Sequence, residues 1–209
     1  MILYGYRRMY EDVCGCLRMF SGTRVYIRTI QGKENLMITI ITGASHCGKT
    51  LLAQKFLERY KTPYLCIDHL KMGLIRSGNT RLTPEDDDEL TDYLWPIVSE
   101  IIKTAIENDQ SLTIEGCYIP FNWREKMDPD YQSHIRFICL AFSDDYIDDH
   151  FEDIVSHASD IEARLEESDL SREKLKQDNY FYREGFWASN EDVTLIEDNY
   201  EQTLESLLG

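Results

Sequence analysis

The chain has 209 residues, 43% of them hydrophobic and 29% charged, enough for one α/β domain around a single core. Its net charge of −16 is uneven: residues 1–36 carry six Lys/Arg against three Asp/Glu, a surplus of 3, which leaves −19 on residues 37–209. So acidic a body repels a polynucleotide backbone, which excludes nucleic-acid polymers as partners and leaves any phosphate to be held by local geometry.

Residues 1–36 lack sustained periodicity, although Thr23–Ile30 alternates Val25, Ile27 and Thr29 as a short strand would. They read as an N-terminal extension: upstream sequence before a domain start near Met37, or an extra strand or arm. Strand and helix patterns then alternate over 37–209, the mark of a mainly parallel sheet. Met37–Thr42 is a continuous β-branched run suited to a strand buried on both faces.

The segment Gly43-Ala44-Ser45-His46-Cys47-Gly48-Lys49-Thr50 follows that strand and opens a helix running from about Gly48 to Tyr60. Here the glycines let backbone N–H groups curl around phosphate oxygens, and the helix N-terminus adds its positive end. Lys49 is placed to reach the β- and γ-phosphates and Thr50 to hold Mg²⁺, while His46 and Cys47 present backbone. The candidate nucleotide-binding set is residues 43–50 plus Leu51, with ATP and Mg²⁺ as the implied cofactors.

A second strand is predicted over Tyr64–Asp68. From its carboxyl end Asp68 would hold an attacking hydroxyl or take its proton, or else cap the following helix. Lys71 and Arg76 follow within two turns as candidate clamps for an anionic acceptor. Thr83-Pro84-Glu85-Asp86 has the form of a helix start. Leu90 through Ile106 then follow the i, i+3, i+4, i+7 rule, with Pro96 expected to kink or restart the helix.

Ser111–Glu115 is the third predicted strand. Its last residue, Glu115, is a candidate ligand for Mg²⁺ or for the acceptor. Tyr118, Phe121, Trp123 and Arg124 form an aromatic and basic loop that either covers a substrate or packs in the core. Ile135–Phe142 and Val193–Ile196 are the fourth and fifth strands. Between them, about 144–188 reads as a charged helical lid insertion bearing Arg164, Arg172 and Arg183, arginines of the kind that neutralise charge in phosphoryl transfer.

No stretch approaches the roughly 20 apolar residues of a membrane span, and charges interrupt the N-terminus before a signal-peptide core develops. The six cysteines match neither a disulfide framework nor a zinc site, so reduced thiols in a cytoplasm are expected. No feature specifies an oligomeric state.

Taken together, GASHCGKT between strand and helix, IDHLKMGLIR, IEGCYIP and the Arg-bearing insertion resemble the P-loop small-molecule kinases. That group includes adenylate-kinase-like, gluconate-kinase-like and zeta-toxin-like enzymes. Met37 to about Leu208 also looks like bacterial proteins described as 2-phosphoglycerate kinases or simply as P-loop kinases. The resemblance implies a three-layer P-loop NTPase fold with a five-stranded parallel sheet in order 2-3-1-4-5 and a mobile lid. It also implies phosphoryl transfer from ATP to a small, anionic acceptor such as 2-phosphoglycerate, with Lys49, Asp68 and Arg164 or Arg183 as catalytic groups. A nucleoside, nucleotide or sugar nucleotide is the alternative acceptor. The arginine pattern of an AMP kinase and the guanine-recognition motif of a GTPase are not visible. The rival of another class is a nucleotide-binding regulator or ATPase without a small acceptor.

Overall fold

In the computed structural model, which describes residues 38–157 and 170–209, the β-branched run forms the central strand. This strand, β1 (Ile38–Gly43), is buried at every position. Parallel pairing joins it to β3 (Leu112–Glu115) on one side and β4 (Ile135–Phe142) on the other. Outer strands β2 (Tyr64–Cys66) and β5 (Val193–Ile196) complete a five-stranded parallel sheet in the order β2-β3-β1-β4-β5. Alternation along the strands divides the apolar residues between two cores. Ile38, Ile40 and Cys139 belong to one core; Ile41, Ile138 and Leu140 belong to the other.

The helices are α1 (Lys49–Tyr60), α2 (Ile67–Arg76), α3 (Asp87–Glu107), α4 (Pro129–Gln132), α5 (Asp144–Ser156), α6 (Arg172–Ala188) and α7 (Tyr200–Ser206). The first core is completed by α3, which buries Leu90, Leu94, Trp95, Val98, Ile102 and Ala105 along one stripe. Each large side chain there contributes about 1.5–3 kcal/mol through burial. Pro96 sits inside this continuous 21-residue helix rather than dividing it. The second core draws on Leu52, Ala53 and Phe56 of α1 and Leu204 of α7.

Three local expectations are corrected. β2 ends at Cys66, and Asp68 lies in the first turn of α2. A carboxylate is stabilised there by the free N–H groups of a helix start. Thr83 caps nothing: its N–H and hydroxyl both donate to Asp86 Oδ2, at 2.7 and 3.0 Å, closing a turn, and α3 begins only at Asp87. The stretch read as a lid includes α6, yet this helix buries Leu175, Asn179 and Phe186 and is a layer of the fold. Thr23–Ile30, Met37, Arg164 and the rest of 158–169 of the insertion lie outside the described residues.

Candidate active site

The loop between β1 and α1 is held in a curl by backbone conformations that only glycine takes without strain. Gly43 has φ +125°, and a Cβ there would stand 2.0 Å from the Leu140 carbonyl oxygen of β4. Gly48, at φ +83°, is the N-cap of α1 and offers the helix no side-chain cap. The first turn of α1 therefore points its N–H groups past Gly48, where Lys49, Thr50 and Leu51 line a cleft of about 1690 Å³. By contrast, α5, α6 and α7 are capped by Ser143, Ser171 and Asn199, whose side chains accept from backbone N–H groups.

Ser45, His46, Gly48, Lys49, Thr50 and Leu51 line this cleft, while Gly43, Ala44 and Cys47 stand behind it. Lys49 is buried, and its Nζ donates to the Ala44 carbonyl at 2.7 Å. Burial disfavours its charge, but Cys117, Cys47, Glu115 and Asp178 outweigh that effect and hold its pKa above the ordinary lysine value. Thr50 Oγ1 donates to Glu115 Oε2 at 3.4 Å, and the Glu115 side chain is buried at the end of β3. The two supply hard oxygen donors of the kind Mg²⁺ takes, with room for phosphate oxygens and waters to complete its shell. Among the described residues no group of three or more His, Cys, Asp or Glu side chains is gathered as a metal site.

The opposite wall comes from α2, the start of α3 and the loop after β3. Lys71 donates to Tyr118 Oη at 2.7 Å and pairs with Asp68 Oδ1 at 2.8 Å; Tyr118 Oη in turn donates to Asp87 Oδ1 at 3.0 Å. Burial works against the Lys71 charge, yet its bonds to Asp68 and Tyr118 carry its pKa upward. Burial also pushes the Tyr118 hydroxyl up to about 12, against the pull of Lys71. Phe121, Phe181 and Tyr182 add aromatic faces to the cleft. Nearer the loop, Phe142 stacks on Tyr146 with ring centroids 5.0 Å apart, and both line the cleft together with Tyr200.

Several candidates stand elsewhere. Arg76 is exposed at the far end of α2. Arg124 is bound by the buried Glu191, with Nη2 donating to Oε2 at 2.9 Å, and covers Trp123. Trp123 itself is fully buried. Arg183 lies between the Tyr180 and Trp187 rings and pairs with Glu184 at 3.3 Å. Among the described residues no arginine lines the cleft. Local acids and aromatic rings have taken up the Arg124 and Arg183 guanidinium groups.

Two residues that sequence reasoning missed are consecutive on α6. Asp178 Oδ2 accepts from the Ser45 N–H at 2.6 Å. Asn179, fully buried, accepts at Oδ1 from the Phe142 N–H at 2.7 Å and from the Cys47 thiol at 3.2 Å, and donates to the Leu175 carbonyl at 2.7 Å. One sign was available: Leu175, Asn179, Tyr182 and Phe186 follow the helical period, so a lone amide interrupts an otherwise apolar stripe.

No protein-family model and no curated protein sequence matches the chain. Solved structures do. A sugar kinase from Janibacter sp. HTCC2649 aligns with a TM-score of 0.52 at 16% identity, over 82% of this chain and 92% of its own. A gluconokinase from Sinorhizobium meliloti 1021 aligns at 0.46 with 13% identity, over 83% and 90%. A shikimate kinase from Aquifex aeolicus aligns at 0.47 with 12% identity, over 82% and 94%. At these identities the likeness is one of fold, and the sugar kinase structure carries it. With the strand order and the glycine-held loop, it defines the P-loop kinase fold.

Proposed function

We propose that the chain is an ATP-dependent kinase acting on a small hydroxyl compound, and that residues 37–209 form the domain that does it. The observation that supports this most is the pairing, across one cleft, of the Lys49 and Thr50–Glu115 end with a polar wall built on Asp68, Lys71 and Tyr118. A receptor for nucleotide alone has no need of the second wall. Mg²⁺, held by Thr50 and through Glu115, would neutralise charge on the triphosphate. The loop N–H groups and Lys49 orient the donor, and burial of Lys49 keeps its charge strong at the transferring group. In the first turn of α2, Asp68 is the group that accepts the acceptor's hydroxyl proton. Lys71 holds that carboxylate in place through its 2.8 Å contact.

The acceptor class is also sharpened. Of the cations expected to grip an anion, Arg76 and Arg124 stand outside the cleft and Lys71 is committed to Asp68 and Tyr118. Asp87, Asp88 and Asp92 face the same wall. With Phe121 and Phe181 alongside, it suits a nucleoside or sugar better than 2-phosphoglycerate.

The test is a panel of nucleosides, sugars, polyols and phosphorylated acids with Mg·ATP. ADP release is followed, and phosphorylated product is sought by mass spectrometry. At least one hydroxyl acceptor should raise turnover well above the water rate, and Lys49→Ala should lower it by about 100-fold or more. Turnover indifferent to every acceptor sinks the kinase reading.

A further inference from the structure

The bond between Ser45 and Asp178 sets a carboxylate on the loop that is to hold a polyanion. Resting on the reading of this loop as a nucleotide site, we propose that Asp178 is an intramolecular rival of the terminal phosphate, so that the chain discriminates against nucleoside triphosphate relative to diphosphate.

Four observations carry it. Ser45 and Asp178 both line the cleft, and the Ser45 N–H donates to Asp178 Oδ2 at 2.6 Å. One N–H then faces two acidic groups when a triphosphate enters. Second, Asp178 and Lys49 line the same cleft, and Asp178 adds to the upward shift of the Lys49 ammonium. A P-loop lysine serves the β- and γ-phosphates, so the conflict falls on the outer end of the triphosphate. Third, helix α6 does not withdraw freely. Its next residue, Asn179, is bonded to Phe142, Cys47 and Leu175 and is fully buried, so relief must come from rotation of the Asp178 side chain. Fourth, Asp178 lines the cleft itself, with space beside it into which that side chain can turn.

The resemblance to small-molecule kinases implied an arginine on this stretch to neutralise the transferring group. Arg183 of α6 is instead held by Tyr180, Trp187 and Glu184, and the α6 side chain beside the loop in the cleft is the acidic Asp178. The rival carboxylate makes occupancy by triphosphate depend on a displacement that a diphosphate does not require. It leaves the loop N–H groups preorganised by an internal anion meanwhile.

The experiment measures Mg·ATP and Mg·ADP affinities by calorimetry for the full chain and for Asp178→Asn. Asp178→Ser serves as a second replacement in case the first fails to fold, which thermal unfolding reports. Removing the charge should tighten ATP about tenfold and ADP less than about threefold. Equal changes in both affinities, no change, or weaker ATP binding would overturn the proposal. Lys49→Ala separates the two levels. If ATP binding to the parent chain is lost in Lys49→Ala but the ATP-to-ADP ratio is unmoved in both Asp178 variants, Asp178 is no rival and the loop reading stands. If the parent chain binds no ATP, the loop reading falls and takes this inference with it.

Discussion

The two walls of the cleft are built by different means. At the loop end, the shape of the site resides in the backbone: glycines in left-handed conformations, an uncapped helix start and a buried lysine. Opposite, it resides in side chains that hold one another, Asp68 to Lys71 to Tyr118 to Asp87. A backbone site tolerates almost any residue at its variable positions but no change in its curl. A side-chain site tolerates backbone drift but not the loss of one member, since the partners are then left unmatched.

The comparison is broken most directly at Gly43. Alanine there meets the Leu140 carbonyl at 2.0 Å in addition to its φ of +125°, and should cost more than about 3 kcal/mol in denaturant unfolding. A cost below about 1 kcal/mol would show that the curl is not fixed by backbone contact. Next is Asn179→Ala, which strips the Phe142 N–H and the Cys47 thiol of their acceptor. A buried donor left unsatisfied costs about 2 kcal/mol, read as a fall in denaturant midpoint at constant m-value. Gly48→Ala should be milder, about 1–2 kcal/mol, because the group its Cβ meets is the movable hydroxyl of Tyr200. Smallest in stability, at about 1 kcal/mol, is Lys71→Met on the other wall. Its signature is functional: a rise of about fivefold in acceptor KM with ATP affinity unchanged. A fall in ATP affinity instead would mean that the walls do not act separately.

Legibility in the sequence follows the same division. The loop and the alternation of strands and helices are local patterns; β4 and β5 stand where periodicity put them, and β1 ends one residue later, at Gly43. Asp68 is misplaced by one element, because Cys66-Ile67-Asp68 carries no signal separating a strand end from a helix start. Thr83 had cap chemistry, but Asp86 competed for it. The aromatic run after β3 was ambiguous for a physical reason: Trp123 and Phe121 are equally good as core and as cover, and only tertiary packing buries the first and turns the second to the cleft. Asp178 and Asn179 depend on contacts across more than 130 residues of chain, for which no local pattern exists.

One consequence concerns the thiol of Cys47. It is wholly buried, engaged by Asn179, and carries a pKa raised by burial, so alkylating reagents meet neither surface nor thiolate while α6 is seated. Modification must wait for the helix to lift. Peptide-resolved labelling of Cys47 is therefore a clock for the lifting of α6 from the loop between β1 and α1, and its rate measures how often the two separate.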